Sequence, residues 1–190
     1  MKVRAWLGVP SVLTFMALPA YAWDLDALMH GLAKHEGGHA RFVETKKIAL
    51  LDQPVVSSGE LIYTPPAKLE KRTQKPRPET MMLDGDELRL ERGKQKFSVR
   101  LSDQPEALAF VDSLRGTLAG DRAALEKSYR LVLTGNEEHW TLDLLPADPR
   151  LAAFVLRITF VGSKNRVQRI RYLQADGDSS EMTIEPADAK

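Results

Sequence analysis

From Arg41 to Leu101 apolar side chains recur on alternate residues, the period of a strand whose one face is buried in a sheet. Leu61 with Tyr63, Met81 with Leu83, Leu88 with Leu90, and Phe97 with Val99 and Leu101 each share a strand face. Glu60, Glu87, Arg89, Glu91, Lys96 and Arg100 take the other. Asp52-Gln53-Pro54, Ser57-Ser58-Gly59, Pro65-Pro66 and Lys75-Pro76-Arg77-Pro78 read as turns, and Asp84-Gly85 and Arg92-Gly93 stand at hairpin spacing. This is an antiparallel meander with one dry and one wet face. Strands resume over 129–133, 140–144, 154–160, 166–173 and 181–184, with turns at Thr134-Gly135-Asn136, Gly162-Ser163 and Asp176-Gly177-Asp178.

Two segments break the period. Leu25, Leu28, Met29 and Leu32 follow the i, i+3, i+4, i+7 spacing of an apolar helix face, with Asp24 and Asp26 at its start and Gly37-Gly38 after its end. Residues 103–127 carry Leu108, Val111, Leu114 and Leu118, with Phe110 beside them, in a helix-compatible pattern broken at Gly116 and Gly120. Pro146 and Pro149 mark a loop. About ten antiparallel strands with two helical insertions predict a mainly β (α+β) chain, a strongly curved sheet or open barrel covered by helices. No repeat, linker or low-complexity block divides it, so residues 23–190 read as one domain. Whether the concave face is solid or hollow is left open by the pattern.

Residues 1–22 read as a cleaved signal peptide. Lys2 and Arg4 form a basic start, an apolar run follows to Leu18, and Ala20-Tyr21-Ala22 fits the small-x-small cleavage rule before Trp23. The apolar run is short for a span of roughly 20 residues. Cleavage leaves 25 basic and 26 acidic side chains, a formal charge of −1 in place of +1, which gives no global reason to expect nucleic acid. The expected location is the periplasm. Without cysteine the chain has no disulfide, thiolate metal site, cysteine nucleophile or lipidated N-terminal cysteine.

His35-Glu36-Gly37-Gly38-His39 satisfies the H-E-x-x-H pattern of zinc proteases. That chemistry needs a helix to bring both histidines to one metal, and two central glycines each cost about 1 kcal/mol against alanine there. The helix pattern stops just before the motif and strands begin just after it, so a helix end running into a loop is expected. No G-x-S-x-G elbow and no phosphate-binding glycine loop occurs. The chain reads as a non-enzyme without cofactor or metal. Arg150, Arg157, Lys164, Arg166, Arg169 and Arg171 are uninterrupted by acid, which suits a solvated strand face or a docking surface for an acidic partner or anionic headgroups.

The order of these features resembles the LolA-type periplasmic carriers of outer-membrane lipoproteins, and especially the LolA-related subgroup associated with lipid exporters. The resemblance rests on the ordered spacing of Gly59-Glu60-Leu61-Ile62-Tyr63-Thr64-Pro65-Pro66-Ala67-Lys68-Leu69, Met82-Leu83-Asp84-Gly85-Asp86-Glu87-Leu88, Trp140 through Pro146, and Ile158-Thr159-Phe160 through Asp176-Gly177 to Met182-Thr183-Ile184. It implies an incomplete antiparallel β-barrel whose concave face is closed by a helical lid over a cavity for acyl chains. On that model Leu61, Tyr63, Leu69, Met81, Leu88, Phe97, Trp140, Leu142 and Leu144 line the cavity. Leu108, Phe110, Val111, Leu114 and Leu118 form the lid. One departure stands out: typical members tether the lid through an arginine before the proline that follows the second strand, and here Thr64 precedes Pro65.

The resemblance implies a soluble periplasmic monomer. It would shield acyl chains of a lipoprotein or (glyco)lipid between an inner-membrane exporter and an outer-membrane acceptor. A periplasmic lipid-sensing or regulatory half-barrel is the alternative, and a lipid-modifying enzyme a third reading.

Overall fold

A computed structural model describes residues 23–187, so the expected signal peptide lies outside the described residues. The chain begins with α1 (Leu25–Ala33), capped by the Asp24 carboxylate, which accepts the Ala27 N–H at 2.9 Å. Six strands follow: β1 (Gly38–Lys47), β2 (Val55–Thr64), β3 (Lys68–Lys75), β4 (Glu79–Asp84), β5 (Glu87–Arg92) and β6 (Gln95–Arg100). A short 3-10 turn (Leu101–Asp103) leads into α2 (Pro105–Ala119) and α3 (Arg122–Glu126). The chain then forms β7 (Tyr129–Asn136), β8 (His139–Pro146), α4 (Pro149–Ala152), β9 (Val155–Ser163), β10 (Arg166–Gln174) and β11 (Ser179–Pro186).

All eleven strands form one antiparallel sheet in the order β6-β5-β4-β3-β2-β1-β11-β10-β9-β8-β7. Two meanders are thus sewn together where β1 pairs with β11, from Ala40 opposite Pro186 to Lys47 opposite Ser179. The sheet is not closed, because β6 and β7 end it on opposite sides. The one long connection joins those two edges, so α2 and α3 must pass over a face of the sheet. The fold is the mainly β, curved, open sheet expected, with one more strand and a helical turn at α4 where a plain loop was read.

Three local expectations change. Thr134-Gly135-Asn136 lies within β7, paired with β8, and the chain reverses at Glu137-Glu138 instead. Ser57-Ser58-Gly59 is no turn but lies within β2, where the pairing with β3 slips between Ser58 and Gly59. A Cβ at Gly59 would run into the Arg72 carbonyl, so the glycine serves a bulge rather than a reversal. Nor does Gly116 break α2. The Leu125 side chain of α3 packs against it, and Gly120, with φ +63°, ends the helix where it meets the α1 backbone at Met29.

The solid core lies at one end of the strand order. Leu28, Met29 and Leu32 of α1 and Leu125 of α3 pack with Tyr129, Trp140, Leu142, Leu144, Val155, Ile158 and Phe160 of β7 to β9. A smaller cluster joins Leu83 and Leu101 to Val111 of α2.

A helix-covered cavity on the concave face

Register builds the site. Met81, Lys71, Leu61 and Ala40 stand side by side in one row across β4, β3, β2 and β1. Leu88, Leu83, Leu69 and Tyr63 form the next. Glu44, Met182 and Ile170 continue the same face through β1, β11 and β10. Cross-strand partners share a face, so this half of the sheet presents one mainly apolar concave surface. Across it lies α2, and between the two is a cavity of about 1180 Å³.

Of the residues expected at a cavity, Leu61, Tyr63, Leu69, Met81 and Leu88 line it from the sheet, and Phe110, Val111, Leu114 and Leu118 line it from α2. Leu108 turns instead into the smaller cluster with Leu69, Leu83 and Leu88. Trp140, Leu142 and Leu144 do not line the cavity: α1 covers them, and they are fully buried in the solid core. The Trp140 ring lies on Gly162, its cross-strand partner, where a Cβ would collide with it, and its indole N–H donates to the Lys164 carbonyl at 2.9 Å. Phe97 shares a row with Leu90 and Met81 but lies on edge strand β6, 54% exposed and outside the cavity.

Sequence reasoning missed Ile170, Met182 and Ile184, which line the cavity from the last hairpin. Their alternation placed strands there without saying what lay opposite. It also missed a buried charge pair. Glu44 is 8% exposed, and Lys71 donates to its Oε2 at 2.5 Å while standing 4.8 Å from the centre of the Phe42 ring. Its signal was present: Glu44 is a carboxylate at the parity of Phe42, on the dry face of β1.

The cover is tethered without an arginine after β2. Thr64 ends β2 and is exposed. Instead the Arg115 guanidinium of α2 donates to the Gly85 carbonyl in the β4–β5 turn. On the other side the Tyr129 hydroxyl, whose pKa burial raises, donates to the Ala109 carbonyl at 3.0 Å. Arg72 pairs with Glu70 at 2.7 Å, and Arg100 stands opposite Glu87.

The H-E-x-x-H stretch has no helix through it. α1 ends at Ala33, His35 accepts the Gly37 N–H at 3.1 Å, and His39 is already in β1. Among the described residues no three His, Cys, Asp or Glu side chains are grouped to hold a metal. The late basic run is largely neutralised by acids from neighbouring segments. Arg171 meets Glu181 at 2.5 Å, Lys164 meets Glu138 at 3.4 Å, and Arg150 meets Asp148 at 2.7 Å.

An open antiparallel sheet with one half of its concave face filled and the other half hollow beneath an edge-to-edge helix defines a half-barrel with a mainly apolar, partly open cavity. The chain belongs to the family described as outer membrane lipoprotein carrier protein LolA-like, whose model matches residues 17–189. No curated protein matches it in sequence. Among solved structures, it is similar to a LolA superfamily protein from Nitrosomonas europaea, with 12% identity, TM-score 0.46, and 87% of this chain and 93% of that one covered. A putative outer membrane lipoprotein-sorting protein domain from Vibrio parahaemolyticus follows at 12% identity and TM-score 0.42, covering 84% and 89%. The Pseudomonas aeruginosa MucA/MucB complex gives 13% identity and TM-score 0.46, covering 86% of this chain and 59% of that one.

Proposed function

We propose that the protein is a periplasmic carrier that hides the acyl chains of a lipoprotein or lipid in its cavity during transfer from the inner to the outer membrane. The observation that carries this reading is the hollow, about 1180 Å³, between α2 and the apolar rows of β1 to β5, β10 and β11. Withdrawing a methylene from water is worth about 0.8 kcal/mol, so a chain of about fifteen methylenes carries roughly 12 kcal/mol of exposure to be masked. A lipid crossing an aqueous gap needs such a compartment, and it leaves only for another apolar site. Membership of a carrier family supports the same reading and suggests an exporter as donor and a membrane-bound acceptor. In this reading the carrier acts without catalysis, and Glu44 with Lys71 is a structural ion pair in the wall of the cavity.

Native mass spectrometry of the protein isolated from its own cell envelope tests this. A co-purifying acylated species is expected. Protein that is always empty and takes up no apolar fluorescent dye would overturn the proposal.

A further inference from the structure

The two ends of the sheet differ. Antiparallel order puts the β1–β2 loop, the β3–β4 turn, the β10–β11 turn and the segment before β9 at one end. Hydrogen bonds tie three of these together: the Ala49 N–H donates to the Asp178 carboxylate at 2.8 Å, and the Ala175 N–H donates to the Phe154 carbonyl at 2.9 Å. From this joined end project Leu50, 94% exposed, with Leu51, Val56 and Phe154 near half exposure. Leucines so placed do nothing for the core. Beside them lie Lys46, Lys47, Lys75 and Arg77, which form no ion pair among the described residues. The acids of the same loops are Asp52, Asp176 and Asp178, the last accepting the Ala49 N–H, and the four cations outnumber them by one. The opposite end carries Asp84, Asp86, Glu87, Glu137 and Glu138 in its turns, and its lysines Lys68 and Lys164 are each paired with one of these acids.

The geometry points to an anionic bilayer surface as the partner of the basic end, with Leu50 and Leu51 entering the headgroup region and Lys47, Lys75 and Arg77 lying over the phosphates. Projecting aliphatics inside a cationic rim match the two terms of peripheral membrane binding, apolar insertion and attraction to anionic lipid. A bilayer, unlike a protein partner, demands no shape complementarity from the exposed leucine side chains of this loop. The placement also serves transfer. Lys46, Phe154, Ser179 and Ser180 line the cavity at this same end, so docking brings the compartment against the membrane. The inference goes beyond the carrier reading and is tested separately from it.

The purified protein is floated with vesicles of phosphatidylethanolamine and phosphatidylglycerol, and with vesicles of phosphatidylcholine alone. Binding is expected to the first and to be about tenfold weaker to the second, with the difference lost in high salt. Leu50→Asp/Leu51→Asp is expected to lower binding at least about tenfold. Lys47→Glu/Arg77→Glu is expected to remove the preference for phosphatidylglycerol. All four side chains are exposed, and thermal unfolding confirms that each variant is folded. Equal binding to both vesicles, binding to neither, or unchanged binding by the folded variants overturns the inference. Dye uptake by the same variants is expected to stay at the wild-type level. Vesicle binding without any dye uptake would sink the carrier reading and leave the docking surface standing.

Discussion

The Tyr129 hydroxyl of β7 donates to the Ala109 carbonyl of α2 across 3.0 Å, fastening the first half of the covering helix to an edge of the sheet. Burial keeps that hydroxyl protonated well above the usual range, so it remains a donor at any physiological pH. Tyr129→Phe removes the tether with little change of volume. A buried hydrogen bond contributes about 1 kcal/mol net, so amide exchange within α2 is expected to quicken about fivefold. Arg115→Ala, which frees the opposite side from Gly85, is expected to act in the same direction. Unchanged protection in both variants would show that α2 is held by packing alone.

Trp140 and Leu61 separate the filled half from the hollow half. Trp140 is 1% exposed and in full contact, so Trp140→Ala is expected to cost about 3–5 kcal/mol in denaturant unfolding. Leu61 borders the cavity, and Leu61→Ala is expected to cost under about 1 kcal/mol, because part of its surface already faces empty space. Dye affinity should fall for Leu61→Ala. Equal stability losses would contradict the division of the concave face.

Glu44 and Lys71 satisfy each other inside an apolar site, with the Ser57 hydroxyl 3.5 Å from the same carboxylate oxygen. Lys71→Met leaves a carboxylate that is 8% exposed without its cation, and a loss of about 2 kcal/mol is expected by urea unfolding. Adding Glu44→Gln should restore most of it, since replacing both members of a buried pair costs far less than removing one. A double variant no more stable than the single one would refute this coupling.

At the β5–β6 edge, hydrogen bonds from Arg89 and then from Ser98 lower the Glu87 pKa from 4.5 to about 2. A carboxylate held below its unfolded value contributes stability that is complete above about pH 4.5 and disappears as pH falls through about 2. Comparing wild type with Glu87→Gln, the difference in denaturation midpoint is expected to be largest near neutrality and to close toward about pH 2. Carboxyl-carbon NMR reads the titration directly, and a Glu87 midpoint near 4.5 would exclude it.

Much of the fold was legible because alternation and turn chemistry are local. Asp84-Gly85 and Arg92-Gly93 fall where the β4–β5 and β5–β6 turns lie, and Leu28, Met29 and Leu32 form the buried face of α1. Ser57-Ser58-Gly59 misled because a glycine admitting a neighbouring strand at a bulge has the composition of a turn. The cavity was half legible. Leu61, Tyr63, Leu69, Met81 and Leu88 have the same pattern as Trp140, Leu142 and Leu144, yet α1 lies over the second group.

The residues by themselves determined the strands, their dry faces and the long helical connection, because side-chain period and turn residues act within a few positions of the chain. Tertiary structure alone decided which dry faces were filled. α1 is nine residues, about 13 Å long at 1.5 Å per residue, and its core covers β7 to β9, with Val167, Ile170 and Tyr172 of β10 at its margin. The rest of the concave face is roofed by α2, held at its flanks by Tyr129 and by the Gly85 turn, and it stays hollow beneath that span.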